Sequence, residues 1–95
     1  MAVEFYRSCS ALKADRHLKE QLSRASSSIA LNLAEGAGRS TGKDQARFFQ
    51  IAFGSLRECQ AILDLIADSE NHPVCKAADV IAAHIYKLIK NVRGN

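Results

Sequence analysis

Apolar residues recur at steps of three and four along most of the chain, which is the period of amphipathic helices. The clearest stripe begins after Asp15 and consists of Leu18, Leu22, Ala25, Ile29 and Leu33. Asp15 stands where a side chain can cap the first turn, and Gly36 stands where a left-handed residue can end the helix. The pattern therefore predicts a helix from Asp15 to Gly36.

A second stripe predicts a long helix from Thr41 to about residue 69. Its apolar face is formed by Phe48, Ile51, Ala52, Ser55, Cys59, Ile62 and Ile66, and is widened by Phe49, Phe53, Leu56 and Leu63. Thr41 followed three residues later by Asp44 resembles a capping box. A face this broad predicts contacts with more than one neighbouring helix.

Two further helices flank this pair. Residues 2–13 carry Phe5, Cys9 and Leu12 in helical register, and Pro73 opens a last helix that Asn71 or His72 can cap. That helix has a stripe through Val74, Ala78, Ile81, Ile85, Leu88 and Val92. Four amphipathic helices with short connections predict an all-α, antiparallel up-down-up-down four-helix bundle with a short first helix, formed by residues 1–95 as one domain.

The predicted helices differ in length. With a rise of about 1.5 Å per residue, the third helix would be about 42 Å long and the first only about 18 Å. Part of the apolar face of the third helix would then lack a partner within the chain. Because monomers seldom expose large apolar patches, this mismatch predicts a homo-oligomer.

Composition narrows the protein class. The chain has 95 residues, of which 47% are hydrophobic and 24% charged, and it has a net charge of +3. This charge permits anionic partners without requiring them. No apolar run approaches the roughly 20 residues that span a bilayer, and the N-terminus lacks the apolar run of a signal peptide. Three widely spaced cysteines fit no disulfide framework and indicate a reducing, cytoplasmic setting.

No set of residues supports catalysis or a cofactor. Di-iron bundles need Glu-x-x-His on two helices, and this motif is absent from the sequence. His72 and Cys75 have zinc-ligand spacing but no matching second pair. The serines at 26–28 lack a glycine elbow and partners for a triad. We therefore predict a protein without enzymatic activity, without a cofactor and without a metal, in which Cys9 and Cys59 are inert core thiols.

Basic residues form three candidate anion-binding groups. The glycine-rich stretch 36–43 lacks the spacing and preceding strand of a P-loop, yet Arg39 and Lys43 within it are candidates for contact with phosphate. The other candidates are Lys13, Arg16 and Lys19 near the second helix, and Lys87, Lys90 and Arg93 on the fourth. A solvated surface is the favoured interpretation of the charges near the second helix and on the fourth, unless several subunits align them into a band that attracts phosphates.

A set of polar residues lies on or beside the apolar stripes, where an unpaired charge is costly. Arg24 and Glu35 are too far apart to meet within one helix, so we expect links from them to Arg47 or Glu58 on the third helix or on a neighbouring subunit. The predicted interface or buried polar residues are Arg24, Asn32, Glu35, Arg47, Phe49, Phe53 and Glu58.

Several motifs together suggest a family. Residues 21–39 contain Asn-Leu-Ala-Glu-Gly-Ala-Gly-Arg, and they are followed by Lys43-Asp44, Arg47-Phe48 and a Gly54-Ser55 pair with Glu58. This arrangement resembles the four helix bundle proteins of the large-subunit ribosomal RNA intervening-sequence family, to which the accessory variability protein of diversity-generating retroelements is similar. The resemblance implies a ring, commonly a pentamer, without known catalytic activity. For the retroelement relatives it implies a basic barrel that engages nucleic acid and a reverse transcriptase.

The sequence leaves three functional hypotheses. The first is a ring-forming bundle whose basic surfaces bind RNA or DNA, or a nucleic-acid enzyme, through phosphate contacts. The second is a structural scaffold for protein partners without a nucleic-acid role. The third, a helix-turn-helix regulator that uses residues 34–48, ranks last because its recognition helix would be far shorter than the predicted third helix.

Overall fold

The computed structural model describes residues 1–66 and 73–93, which form four helices. These are α1 (Ala2–Ser10), α2 (Arg16–Ala37), α3 (Gly42–Leu65) and α4 (Pro73–Arg93). No strand occurs in these two described ranges. The predicted all-α fold with four helices and a short first helix is thus confirmed.

The start of α2 agrees with the prediction and its end does not. A carboxylate oxygen of Asp15 accepts the N–H of Leu18 at 3.0 Å, which satisfies one free donor of the first turn. Gly36, however, lies inside the helix, which continues to Ala37. The capping residue is Gly38, with φ −86° and ψ −5°, so the predicted left-handed end at Gly36 is wrong.

The third helix is shorter than predicted. It begins where the Thr41 hydroxyl accepts the N–H of Asp44 at 3.2 Å, as expected from the capping pattern. It ends at Leu65 because Ile66 is extended, with φ −85° and ψ 122°. The predicted continuation to residue 69 is therefore wrong at Ile66, and positions 67–69 lie outside the described residues. Its 24 residues correspond to about 36 Å.

The remaining helix ends also refine the prediction. Helix α1 ends at Ser10, before the predicted residue 13, and Ala11 closes its last turn by donating its N–H to the carbonyl of Arg7. Helix α4 begins at Pro73 as predicted. Its predicted caps, Asn71 and His72, lie outside the described residues.

The helices pack around one continuous core. Helix α2 contacts α1 and α3, and α4 contacts α3 and α1. The core side chains are Phe5, Cys9, Leu22, Ala25, Ile29, Ala52, Leu56, Cys59, Ile62, Leu63, Val74, Ala78, Ile81 and Ile85. Helices α2 and α3 run antiparallel, since Ser28 meets Ser55 while Gly36 meets Phe49. The complete up-down-up-down order stays a prediction.

Most of the apolar face of α3 is covered within the chain. Its buried residues are Ala46, Phe49, Ala52, Leu56, Cys59, Ile62 and Leu63. Helices α2 and α4, with 22 and 21 residues, are nearly as long as α3 and cover it along most of its length. Only Ile51 and Leu65 among the large apolar residues of α3 are exposed. The uncovered part is therefore much smaller than the length mismatch predicts.

Gly36 allows the end of α2 to approach the start of α3. A β-carbon at this position would lie 2.6 Å from Cε1 and 2.8 Å from Cδ1 of Phe49, and 3.2 Å from Cβ of Phe48. Carbon atoms do not approach this closely without displacement. The phenyl ring of Phe49, which is 5% exposed, thus occupies the space that a side chain at residue 36 would need.

We expect Gly36→Ala to lower the free energy of unfolding by about 1–3 kcal/mol, because the buried Phe49 ring must move to admit the methyl group. The matched control is Gly38→Ala at the exposed end of the same helix, where the nearest atoms to an added β-carbon are 3.7 Å away. Chemical denaturation measures both variants. Equal stability of Gly36→Ala and Gly38→Ala would contradict this role for Gly36.

Two of the three cysteines are core residues. Cys9 is 1% exposed and Cys59 0% exposed, whereas Cys75 is half-buried. Burial raises the pKa of Cys9 to about 12, with a further contribution from the neighbouring Cys75. Burial also raises the pKa of Cys59 to about 12, with a contribution from Cys9. Both buried thiols therefore stay protonated at neutral pH, which agrees with the predicted inert role.

We expect one fast-reacting thiol in the folded protein. At pH 8 a thiol with a pKa of about 12 is ionised in roughly one molecule in ten thousand, and only the thiolate attacks alkylating reagents. Iodoacetamide followed by mass spectrometry should modify Cys75 first, and all three cysteines after denaturation. In Cys75→Ser the fast phase should disappear. A second fast thiol in that variant would show that the burial of Cys9 or Cys59 is incomplete.

Candidate nucleic-acid interface

The predicted anion-binding residues fall into two groups at opposite ends of α2. Lys13, Arg16 and Lys19 lie around its start, and Arg39 lies two residues beyond its end. The 22 residues of α2 separate the groups by about 33 Å. One chain therefore presents two separate basic surfaces.

The first group is partly neutralised by neighbouring carboxylates. Nε of Arg16 donates to Oε1 of Glu20 at 3.0 Å, and both side chains are largely exposed. Arg16, Lys19 and Glu20 line one shallow cavity together with Ser10, Ala14 and Ser23. Exposed pairs of this kind contribute little to stability, but the carboxylate reduces the local positive potential.

The second group surrounds the α2–α3 turn, and we call Arg39, Lys43, Arg47 and Phe48 the turn-end cluster. The guanidinium carbon of Arg39 lies 4.7 Å from the centre of the Phe48 ring, and that of Arg47 lies 5.0 Å from it. These distances are typical of cation–π contacts. Phe48 is half-buried, while Lys43 and Arg47 are exposed.

The end of α4 reaches the same end of the molecule. Val92 packs against Gly42, since a β-carbon on that glycine would lie 3.2 Å from Cγ1 of Val92. Lys87 and Lys90 are exposed on the last turns of α4, and Arg93 is its final residue. These α4 residues thus lie at the end of the fold that carries the turn-end cluster.

A groove of about 680 Å³ separates the start of α3 from the end of α4. Lys43 and Arg47 line it together with Asp44, Gln50, Gly42 and Val92. The groove combines two cations with one carboxylate, so its charged groups could contact an anionic ligand.

The carboxylates near the turn-end cluster are few. Oε2 of Glu35 lies 3.7 Å from Nη2 of Arg39, and both side chains are about half exposed. Among the described residues no carboxylate forms an ion pair with Lys43 or Arg47. The positive charge of the cluster is therefore only partly compensated within the chain.

The predicted buried polar residues are mostly on the surface. Arg24, Glu35, Arg47 and Glu58 are all exposed in the single chain. No ion pair among the described residues joins Arg24 or Glu35 to α3, because Glu35 contacts Arg39 instead. Their role at an interface between chains stays a prediction.

The other three residues of this set pack inside the chain. Phe49 is a core residue, which corrects its place at a predicted interface, and Phe53 is half-buried against the core. Asn32 is half-buried, and its amide donates to the carbonyl oxygen of Ser28 at 2.8 Å and to the Ser28 hydroxyl at 3.0 Å. Ser28 in turn shares a 2.8 Å hydrogen bond with Ser55.

The hydrogen bond between Ser28 and Ser55 aligns α2 with α3 and so brings together the residues of an exposed surface. We call this surface the hairpin face, and it consists of Arg24, Leu31, Ile51, Gly54 and Glu58. Leu31 lies three residues after Ser28, and Ile51 four residues before Ser55, so the two side chains lie at the same level. Leu31 is 69% exposed and Ile51 46% exposed. No atom lies within 4 Å of a β-carbon at Gly54.

The described residues offer no support for other kinds of site. They contain no group of three His, Cys, Asp or Glu side chains arranged to hold a metal ion. The His72–Cys75 pair cannot be assessed, since His72 lies outside the described residues. None of the helices in the described part has both the length and the apolar character to cross a membrane. With 24 residues, α3 is far longer than a recognition helix.

Sequence reasoning found the basic residues of the turn-end cluster but missed its aromatic centre. Phe48 was assigned to the apolar face of the third helix, and Arg47 to an interface. The signal available in the sequence was the adjacent pair Arg47-Phe48 just after a turn that contains Arg39. Only the folded turn shows that both arginines share one ring.

The family comparison covers most of this structure. A family model described as 23S rRNA-intervening sequence protein matches residues 1–73, which include α1, α2, α3 and the turn-end cluster. No curated protein and no solved structure gave a match. The relation to the retroelement accessory protein stays a prediction. Because the family model spans well over half of the sequence, the chain belongs to the 23S rRNA-intervening sequence protein family.

Proposed function

We propose that this protein is a non-enzymatic, oligomeric helical bundle that binds nucleic acid through phosphate contacts and acts as an accessory to a nucleic-acid enzyme such as a reverse transcriptase. The family is not a known enzyme family. The observation that carries the proposal is the concentration of positive charge at one end of the bundle. A reducing, cytoplasmic setting belongs to the same proposal and is supported by three free cysteines.

The charge of this end is clearly unbalanced. Residues 35–50 and 80–93, which meet there, contain six Lys or Arg residues and only two Asp or Glu residues. A polyanion that contacts several of these cations releases its condensed counterions, and this release supplies binding free energy independent of sequence. We therefore expect weak sequence specificity and strong dependence on salt.

The hairpin face supports association with further copies of the chain. Leu31 and Ile51 form an exposed apolar centre, and Arg24 and Glu58 lie beside it without an ion-pair partner among the described residues. A glycine inside a helix costs about 1 kcal/mol relative to alanine. Nothing in the described part of the chain uses the space that Gly54 leaves open, whereas an approaching helix of another copy could use it.

Cyclic assembly would give the basic end a collective role. In a ring every subunit has the same orientation relative to the symmetry axis, so all turn ends lie on one rim. A ring, commonly a pentamer in this kind of protein, would repeat the unbalanced charge around that rim. Such a band attracts phosphates far more strongly than one subunit does.

We expect the double variant Lys43→Gln/Lys90→Gln to bind RNA more weakly than the unmodified protein. The slope of log affinity against log salt concentration should also become shallower, by an amount that corresponds to about two phosphate contacts. The matched control is Lys13→Gln/Lys19→Gln, which removes the same charge from the opposite end. Fluorescence anisotropy with a labelled 20-nucleotide RNA over a salt series measures both. Absence of RNA binding at low salt would contradict the nucleic-acid role. Equal losses of RNA affinity in both variants would contradict the location of that role at the turn-end cluster.

We expect Leu31→Lys to dissociate the oligomer, because it places a charge in the apolar centre of the hairpin face. The control is Val80→Lys, which changes a comparably exposed apolar residue, 57% exposed, on α4. Native mass spectrometry and light scattering report the number of subunits. A monomeric unmodified protein, or an intact oligomer in Leu31→Lys, would contradict association through this face.

The alternative function is a protein-binding scaffold without a nucleic-acid role. The exposed Leu31 and Ile51 favour it, since exposed apolar patches commonly mark protein interfaces. Co-purification from native extract with and without nuclease separates the two functions. Partners that persist after nuclease treatment, together with absent RNA binding by the purified protein, would support the scaffold.

A further inference from the structure

The turn-end cluster contains a feature that phosphate binding alone does not require. Contacts to phosphate need positive charge, which lysine supplies as a point charge and arginine as a planar, often bidentate donor; neither needs an aromatic ring for this. Here two guanidinium groups are instead held at 4.7 and 5.0 Å from the centre of one aromatic ring. Stacking on an aromatic face depends on the planar guanidinium and is not available to lysine in the same way.

The backbone that carries the Phe48 ring lies at a close contact between α2 and α3. Phe48 is half-buried, and its Cβ would lie 3.2 Å from a β-carbon on Gly36. The neighbouring Phe49 is buried against the same glycine. The close approach of α2 and α3 therefore restrains the backbone that carries Phe48, and both guanidinium groups lie against the ring of that residue.

The guanidinium groups stay accessible to a ligand. The side chain of Arg39 is 41% exposed, and Arg47 is exposed as well. Arg47 has no ion pair among the described residues, and the contact between Arg39 and Glu35 is a long, exposed one of 3.7 Å. The acidic groups that face the cluster are thus Glu35 and the half-buried Asp44 on the adjoining groove.

We propose that Arg39 and Arg47, held on Phe48, bind single-stranded nucleic acid by stacking their guanidinium planes on unpaired bases, while Lys43 in the adjoining groove contacts a phosphate. This inference rests on the proposed nucleic-acid function and names the strand form that the cluster selects. Stacking on side chains requires bases that are not already stacked and paired. A duplex offers such a cluster only its phosphates, so it gains nothing from planar side chains.

The test compares variants that keep the charge with variants that remove it. Arg39→Lys/Arg47→Lys retains both cations but loses their planarity, and Phe48→Leu retains the charges but loses the ring. The matched control is Arg57→Lys, which changes an exposed arginine ten residues after Arg47 on α3. Each protein is titrated with a 20-nucleotide single-stranded RNA and with a 10-base-pair RNA duplex that has the same number of nucleotides.

We expect the double Lys variant to bind the single strand about tenfold more weakly, as lost stacking on one or two bases predicts. Its affinity for the duplex should change by less than about twofold, because that affinity depends on charge. Phe48→Leu should behave like the double Lys variant, and Arg57→Lys like the unmodified protein. Circular dichroism of each variant checks folding, and the double Lys variant keeps the test valid if Phe48→Leu does not fold.

Three results would overturn this inference while leaving the proposed function intact. The double Lys variant could bind the single strand as tightly as the unmodified protein does, or it could lose equal affinity for the single strand and the duplex. The third such result is that the unmodified protein binds the duplex more tightly than the single strand. Displacement of the single-stranded RNA by polyglutamate at the same charge concentration would overturn it in favour of an acidic protein partner. If the unmodified protein binds neither RNA, the proposed function itself fails.

Discussion

The close approach of α2 to α3 at Gly36 determines the geometry of the end of this protein that carries the turn-end cluster. Because residue 36 has no side chain, the Phe49 ring can lie against the α2 backbone, where a β-carbon would be only 2.6 Å away. This contact brings the start of α3 close to the end of α2 and so places Phe48 beside Arg39. The same packing that completes the core thus assembles the turn-end cluster, and a wider helix spacing would separate Arg39 from the ring.

The four helices could be predicted because each depends on local information. Apolar period, the caps Asp15 and Thr41, and a proline at the first position of α4 all act within a few residues. The misplaced end of α2 has a different cause. Glycine near the end of an apolar stripe usually terminates a helix, whereas Gly36 is required by Phe49, a residue thirteen positions away whose location depends on the tertiary fold.

The candidate site could be predicted only in part for the same reason. Charge identified Arg39, Lys43 and the α4 lysines singly, but their grouping depends on how Gly42 meets Val92 across two helices. Phe48 follows the apolar period, so sequence alone could not separate it from core residues such as Phe49. Conversely, Arg24 and Glu58 lie beside apolar stripes and nevertheless project into solvent, because those stripes are narrower than the period suggests.

The two proposed surfaces can operate at the same time because they lie at different levels of the bundle. Leu31 in the hairpin face lies six residues, about 9 Å, before the end of α2, and Arg39 lies two residues beyond that end. Arg47 lies one helical turn, about 6 Å, before Ile51 on α3, so copies that meet through Leu31 and Ile51 would leave Arg39 and Lys43 open and place Arg47 at the edge of the contact. One cluster offers only a few contacts, but several clusters on one rim act on the same strand with a high effective concentration. Assembly would then convert weak individual contacts into stable binding, which gives the exposed apolar centre of the hairpin face a functional purpose.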